Sequence, residues 1–384
     1  MSDTARRRRS IVEAFEGRFG ASPSLWARAP GRVDLMGSHT DYNLGHVLTL
    51  PIGRDTWIAA TPRRDRRVRL FSLNLDAPAE FDLDRIEKGP PGDWGNYVRG
   101  VAWALQEEGL ETRGFDGLVH STVPLGSGLS SSAALECAVA TLFEGLAGWR
   151  LDPVRKARLC QSAENQFVGV SCGILDQYTS SAGRAGCALL LDCRDLSSRP
   201  VTLPDTIQVV ICDTRSRREL AGSEYGQRRA QCEQGARALG VAALRDATLA
   251  QLDAAAGTLS AEVFRRCRFI IEEDDRVHRL ARALAAGDRA AVGRLCAASF
   301  EGAMTLYEIG APAMEAMMKA MLGAPGVIGA RQAGAGFGGC MVALVEEKDA
   351  EAFCSAVAAE YLRRTATEPE VYPVAAAEGA HLIQ

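Results

Sequence analysis

The chain has 384 residues, 47% of them hydrophobic and 24% charged, with a formal net charge of −4. That length predicts two domains and a sizeable core, and the charge balance argues against a general nucleic-acid binder. No run approaches the roughly 20 apolar residues of a membrane span, and Glu13, Glu16 and Arg18 break the segment after Arg6–Arg9 where a secretory leader would need an apolar stretch. Eleven cysteines lie mostly in apolar stretches, with no CxxC pair and no Cys/His cluster at zinc spacing. They predict reduced, buried thiols and a cytoplasmic location, and argue against a structural zinc site.

In chain order, the four arginines read as a solvated arm leading into a short helix marked by Ile11, Phe15 and Phe19 and stopped by Gly20. Residues 21–50 read as short extended runs alternating with glycine turns, and residues 55–70 as strands around a basic turn at Arg63–Arg67. Tyr97, Val101 and Leu105 predict a helix over 93–109, and 115–123 reads as a strand. An apolar helix follows over 133–146. Asp152-Pro153 then combines a cap with proline at the first helical position, and Leu159, Ala163 and Phe167 continue that helix towards Gly169. Strands are expected over 185–193, 207–213, 327–331 and 341–345, and helices over 221–239 and 311–322. The pattern is α+β, with a soft domain boundary near residue 200 that gives segments 1–200 and 201–384 and leaves the C-terminal tail free to return to the first domain.

Between the strand at 115–123 and the apolar helix lies Gly126-Ser127-Gly128-Leu129-Ser130-Ser131-Ser132. Glycine lets backbone approach a phosphate, and the first amides of the helix have no partner within it, so the loop suits an anion. The same residues also suit a serine-capped helix after a tight turn. The loop lacks the Gly-Lys-Ser/Thr ending of a Walker A motif and the third glycine of a dinucleotide fingerprint. A second cluster, Gly334-Ala335-Gly336-Phe337-Gly338-Gly339, reads either as a ligand-contacting loop or as a hairpin turn. Glu164 and Asp176 sit in apolar surroundings that suit a paired or a functional acid.

Five segments in order resemble the galactokinase family. Residues 29–43, from Ala29-Pro30-Gly31-Arg32 to Asp41-Tyr42-Asn43, resemble its signature. Residues 123–136 and 333–340 are similar to the second and third motifs of the galactose, homoserine, mevalonate and phosphomevalonate kinases. Cys172-Gly173-Ile174-Leu175-Asp176-Gln177 resembles the catalytic segment, and Ser223-Glu224-Tyr225 the stretch with a sugar-contacting tyrosine. The resemblance implies a fold with a ribosomal-S5-like N-terminal domain and a ferredoxin-like C-terminal domain. It implies ATP-dependent phosphorylation of the anomeric hydroxyl of a galactose-like sugar, by a monomer or homodimer with no nucleic-acid or membrane partner. Asp176 would accept or orient the proton of the sugar O1, and Arg32 would contact Asp176 and the moving phosphoryl group, favouring the acid's charged form. Gly126, Ser127, Gly128, Leu129, Ser130 and Ser131 would wrap the ATP phosphates. Ser132 and Glu164 would hold Mg2+, a hard cation that prefers oxygen ligands. Ser38, His39, Asp41, Gly173 and Tyr225 would line the sugar pocket. The other histidines, His46, His120, His278 and His381, have no motif around them.

The chain departs from the family at a few positions. Ser38 stands where the family carries an acid that contacts the sugar C6 hydroxyl, so a sugar altered at or lacking C6, such as galacturonate or L-arabinose, enters as an alternative substrate. On this reading Ser38→Glu improves galactose use. A catalytically dead sugar/ATP sensor is the alternative of another class, opposed by the intact set Arg32, Ser132, Glu164 and Asp176. Asp34 replaces the usual asparagine, and Leu44 stands where glycine is common.

Overall fold

The structure is a computed structural model that describes residues 3–216 and 221–383. Its first half runs α1 (Asp3–Phe19), β1 (Leu25–Met36), β2 (His46–Pro62), β3 (Arg67–Ser72), β4 (Ala77–Asp82), α2 (Gly95–Glu107), β5 (Phe115–Ser121), α3 (Ser131–Ala147), α4 (Pro153–Ser162), α5 (Leu175–Ala182), β6 (Cys187–Asp192) and β7 (Ser198–Thr202). The second half runs β8 (Ile207–Asp213), α6 (Ala221–Ala238), α7 (Leu249–Ala254), α8 (Ala261–Ala286), α9 (Arg289–Thr305), α10 (Pro312–Leu322), β9 (Val327–Gln332), β10 (Cys340–Glu346), α11 (Ala350–Thr365), β11 (Glu370–Val374) and β12 (His381–Leu382).

Two sheets organise the molecule. The larger has the order β12-β1-β2-β5-β3-β4. Its long strand β2 pairs with β5 through its C-terminal half and with β6, and so β7, through its N-terminal half. The smaller is fully antiparallel, in the order β11-β8-β10-β9. One core joins them: Val33, Leu35, Leu48 and Leu50 of the large sheet pack with Val209, Ile211, Val342 and Leu344 of the small one and with Val277, Leu280 and Leu284 of α8. The other face of the large sheet is covered by α2 and α3, where Phe115 and Phe143 meet edge to face at 5.7 Å. The other face of the small sheet carries α10 and α11, with Met317, Met321, Phe353 and Val357 buried against Val210 and Ala343. No helix among the described residues is long and apolar enough to cross a membrane, and none of the eleven cysteines, all among the described residues, forms a disulfide.

Several expectations change in detail. The arginine run belongs to α1 rather than to an arm before it, with Arg6, Arg8 and Arg9 exposed as expected and Arg7 partly buried. Arg7 reaches the carboxylate of Asp55 and donates to His120 Nδ1 at 2.9 Å while its guanidinium stacks over Trp57 at 4.4 Å. Residues 21–50 are not a series of short runs. Strand β1 continues for twelve residues through Pro30 and Gly31, because Gly31 has no Cβ to strike the Leu129 carbonyl, which would lie 2.7 Å away. The helix opened by Asp152, whose side chain accepts from the Arg155 amide at 3.0 Å, widens over Ala163–Val168 into a π-helical turn and ends at Gly169 with φ 87°. At the C-terminal end Ile52 bridges Ala376, and β12 pairs with β1 at the edge of the large sheet.

Candidate active site

Three glycine-bearing segments and two helix ends meet where the sheets join. The bend at Gly31 brings β1 against the 126–132 loop, so the Arg32 amide donates to the Leu129 carbonyl at 3.1 Å. This places the Arg32 side chain, 7% exposed, between two partners. Its Nε and Nη2 converge on Asp176 Oδ1 at 2.7 and 2.5 Å, and its Nη1 donates to the Gly128 carbonyl at 2.6 Å. Asp176 stands in the first turn of α5 and is about a quarter exposed, accessible to a substrate. The loop itself is held open by Gly126 (φ 69°), Gly128 (φ 87°) and Ser130 (φ 61°), with the free amides of α3 beyond. The second glycine cluster closes it from the other domain, because the Cys340 amide donates to the Ser127 carbonyl at 2.9 Å.

Behind the loop lies a buried acidic pair. Gln177 Nε2 donates to Glu136 Oε2 at 3.0 Å and to Glu164 Oε2 at 2.5 Å, and Ser132 also hydrogen-bonds Glu164. Burial, then the charge of Asp176, pushes the Glu164 carboxyl up to about 7, and burial raises Glu136 as well. Glu136 Oε1 and Ser130 Oγ are buried without a partner. Hard oxygen donors whose charges strain against burial and one another are what a divalent hard cation relieves, so the donor set fits Mg2+.

The sugar-motif residues gather beside Asp176. His39, in the left-handed region at φ 66°, presents Nε2 to the Ala335 carbonyl at 2.9 Å and Nδ1 to the Tyr42 hydroxyl at 2.9 Å. Since a carbonyl only accepts, Nε2 carries the proton and Nδ1 accepts from Tyr42 in the neutral ring. The Tyr225 ring lies 5.3 Å from both the His39 and Tyr42 rings, and Tyr307 bonds Tyr42 through the hydroxyls at 2.7 Å. Asp41 is buried, and burial followed by repulsion from Asp176 raises its carboxyl to about 6. It lies so close to Gly173 that a Cβ there would stand 1.7 Å from Asp41 Oδ2, so only glycine fits. These residues come together as the sequence motifs imply. Ser38 is different. It is 2% exposed and its hydroxyl donates to Asp34 Oδ2 at 2.6 Å while Arg331 Nη2 donates to it at 2.9 Å, so its proton and one lone pair are engaged inside the protein. Arg331 also contacts Glu273 at 3.0 Å, and Arg276 contacts Glu273 at 2.9 Å.

Sequence reasoning passed over several residues. Glu136 lies in the helix read as apolar, Tyr42 sits inside the signature segment but was given no role, and Tyr307 lies outside every motif. Trp94, Tyr97, Leu125 and Leu135 line a cavity of about 150 Å3 beside Ser131 and Ser132, sized and placed for a planar base attached to phosphates on the loop. The Trp94-Gly95-Asn96-Tyr97 run after Pro90-Pro91-Gly92 was the available signal. A larger cleft, about 380 Å3, lined by Arg279, Arg282 and Arg294 at the α8–α9 turn, shares no residue with this site.

Comparisons with known proteins agree with the geometry. The galactokinase galactose-binding signature matches residues 13–62, the N-terminal domain of the GHMP kinases residues 96–184, and their C-terminal domain residues 280–363. A galactokinase of Chloroflexus aggregans is 45% identical over 361 residues, 93% of each chain. One of Roseiflexus sp. is 42% identical over 374 residues, 96% of this chain and 95% of the relative. The crystal structure of Lactococcus lactis galactokinase complexed with galactose superposes with a TM-score of 0.92 at 32% identity, covering 97% of this chain and 99% of that one. The mevalonate kinase of Methanococcus jannaschii shares the fold at a TM-score of 0.64 and 18% identity, covering 93% and 99%.

Proposed function

Because the chain belongs to the galactokinase family, it is an ATP-dependent sugar kinase, and we propose that it transfers the γ-phosphoryl group of ATP to the anomeric hydroxyl of galactose with Asp176 and Arg32 at the reacting centre. The observation that carries this reading is the double engagement of Arg32, which binds Asp176 on one side and the phosphate-loop carbonyl of Gly128 on the other. One guanidinium thereby spans the place of the attacking hydroxyl and the place of the moving phosphoryl group. Both arginine nitrogens use Asp176 Oδ1, so Oδ2 is the oxygen that accepts the sugar proton. The fixed charge of Arg32 then opposes the negative charge that spreads over the phosphoryl oxygens. Ser132 and Glu164, with Glu136 behind them, would hold Mg2+, which when bound neutralises phosphate charge. The amides and hydroxyls of residues 126–131 orient the phosphates.

Asp41 accepts from two neighbouring hydroxyls, the arrangement that reads an axial hydroxyl. A carboxyl raised to about 6 gives up its proton more readily once such donors are in place, so sugar affinity rises with pH through that value. At the C6 end Asp34 favours galactose over galacturonate. Its buried carboxylate accepts from the Ser38 hydroxyl and so stands one hydrogen bond behind that residue, where its negative charge disfavours a sugar carboxylate. The test is a panel of galactose, galacturonate, L-arabinose, galactosamine and N-acetylgalactosamine with ADP release as readout. Galactose is expected to give the highest kcat/KM; a higher value for galacturonate or L-arabinose overturns the substrate assignment, and ADP release indifferent to every sugar overturns the reaction.

A further inference from the structure

Outside the active site, two histidines and an aspartate converge at the start of β2. Asp274 and His278 are four residues apart on α8, hence on one face of the helix. His46 comes from the strand. One nitrogen from each ring and a carboxylate oxygen all lie within 4.8 Å of one another, and the two imidazole centroids are 4.1 Å apart. His46 Nδ1 is 3.3 Å from both Asp274 oxygens. All three side chains are half-buried, so the cluster is ordered yet open to solvent. Gly45 permits the approach, since a Cβ there would lie 2.6 Å from Asp274 Oδ1.

We infer that His46, Asp274 and His278 form a binding site for a divalent cation of the zinc class, with water completing the shell. Two imidazoles and one carboxylate are the donor set that a borderline cation takes and that Mg2+ does not prefer. The surroundings supply the outer support such a site uses. Asp192 Oδ2 is 3.3 Å from His46 Nε2, placed to accept its proton when Nδ1 takes the metal. Arg245 Nη2 is 3.1 Å from the same nitrogen and can only donate to it, so metal binding at Nδ1 moves the ring proton to Nε2 and turns Arg245 wholly onto Asp192, whose oxygens already hold it at 2.5 and 2.9 Å. Arg199 and Arg282 are the other cations near His278, and Asp274 is the carboxylate set against them. The site would tie α8 to the end of the loop that carries His39 and Asp41, because Thr40 Oγ1 donates to the His46 carbonyl at 2.6 Å. Occupancy therefore braces the sugar loop whichever sugar it receives.

The test uses the full chain stripped of metal, titrated with Zn2+ by calorimetry in millimolar Mg2+, with thermal unfolding measured with and without Zn2+. The expected result is one zinc bound at micromolar or lower Kd and a raised unfolding midpoint. His278→Gln should weaken affinity at least about tenfold and remove the zinc-dependent shift while leaving the metal-free midpoint and the kinase rate in place. His46→Gln provides the second variant should the first destabilise the chain. Co2+ in place of zinc should give a visible d–d spectrum without a thiolate charge-transfer band. Absence of micromolar binding, binding indifferent to both substitutions, or a thiolate band from one of the eleven cysteines would each overturn the site.

Discussion

By the family pattern, placing glutamate at position 38 is a repair, and the structure predicts damage instead. Ser38, Asp34, Arg331 and Glu273 are 2%, 0%, 1% and 0% exposed, and the two acids already share Arg331. Burial is the main force raising the Asp34 carboxyl, which Arg331 and the Ser38 hydroxyl pull back down. Ser38→Glu removes that hydroxyl and sets a new carboxylate against Asp34 without adding a cation. An uncompensated charge in such a place costs about 3–5 kcal/mol, which for domains of this size lowers the unfolding midpoint by roughly 10 °C. The new carboxyl escapes part of this by holding its proton, so the loss is smaller at acid pH and grows as pH rises. Asp34→Asn in the same chain returns the acids around Arg331 from three to two and recovers most of the loss. The assay is a double-mutant cycle on thermal midpoints, with kcat/KM for galactose in parallel. If Ser38→Glu melts with the wild type, or if adding Asp34→Asn recovers nothing, the shared-arginine account is wrong.

Asp176→Ala should abolish phosphoryl transfer, by three or more orders of magnitude in kcat, while ATP affinity measured by calorimetry changes little; equal loss of ATP affinity would contradict the assigned role. Glu164, with an ordinary carboxyl in the unfolded chain and one near 7 in the metal-free fold, binds its proton more tightly when folded. Its contribution to stability is therefore greatest in acid and declines as pH rises through that interval, and thermal midpoints of the nucleotide-free protein should show a flatter pH slope in Glu164→Gln. Leu44 holds φ 55° at 38% exposure, so Leu44→Gly trades strain for chain entropy and should stabilise by about 0.5–1 kcal/mol in urea unfolding.

What the sequence discloses follows from how local each signal is. The run Ile207–Asp213 reads as a strand because Val209, Val210, Ile211 and Cys212 form an unbroken apolar stretch. The phosphate loop reads as such because glycine and serine act on their own backbone. Arg32, Asp176 and Gly128 were joined through motif resemblance, since nothing in their spacing brings residues 144 positions apart into contact. The Asp34–Ser38–Arg331 network was hidden for that reason, and it reverses the expectation for Ser38→Glu. The longest helix, α8, escaped because Arg266, Glu273 and Arg276 occupy its buried face and interrupt the apolar period that marks a helix.

The returning tail has a consequence for the order of assembly. The Ala377 amide donates to Pro51, the Gly379 amide to Gly183 and the Ala380 amide to the Ser180 carbonyl at the end of α5, before β12 zips onto β1. Residues synthesised about 200 positions after Asp176 thus buckle down the helix whose first turn carries it. On the ribosome the edge of β1 stays unprotected until they emerge, a window in which edge-to-edge association competes with folding.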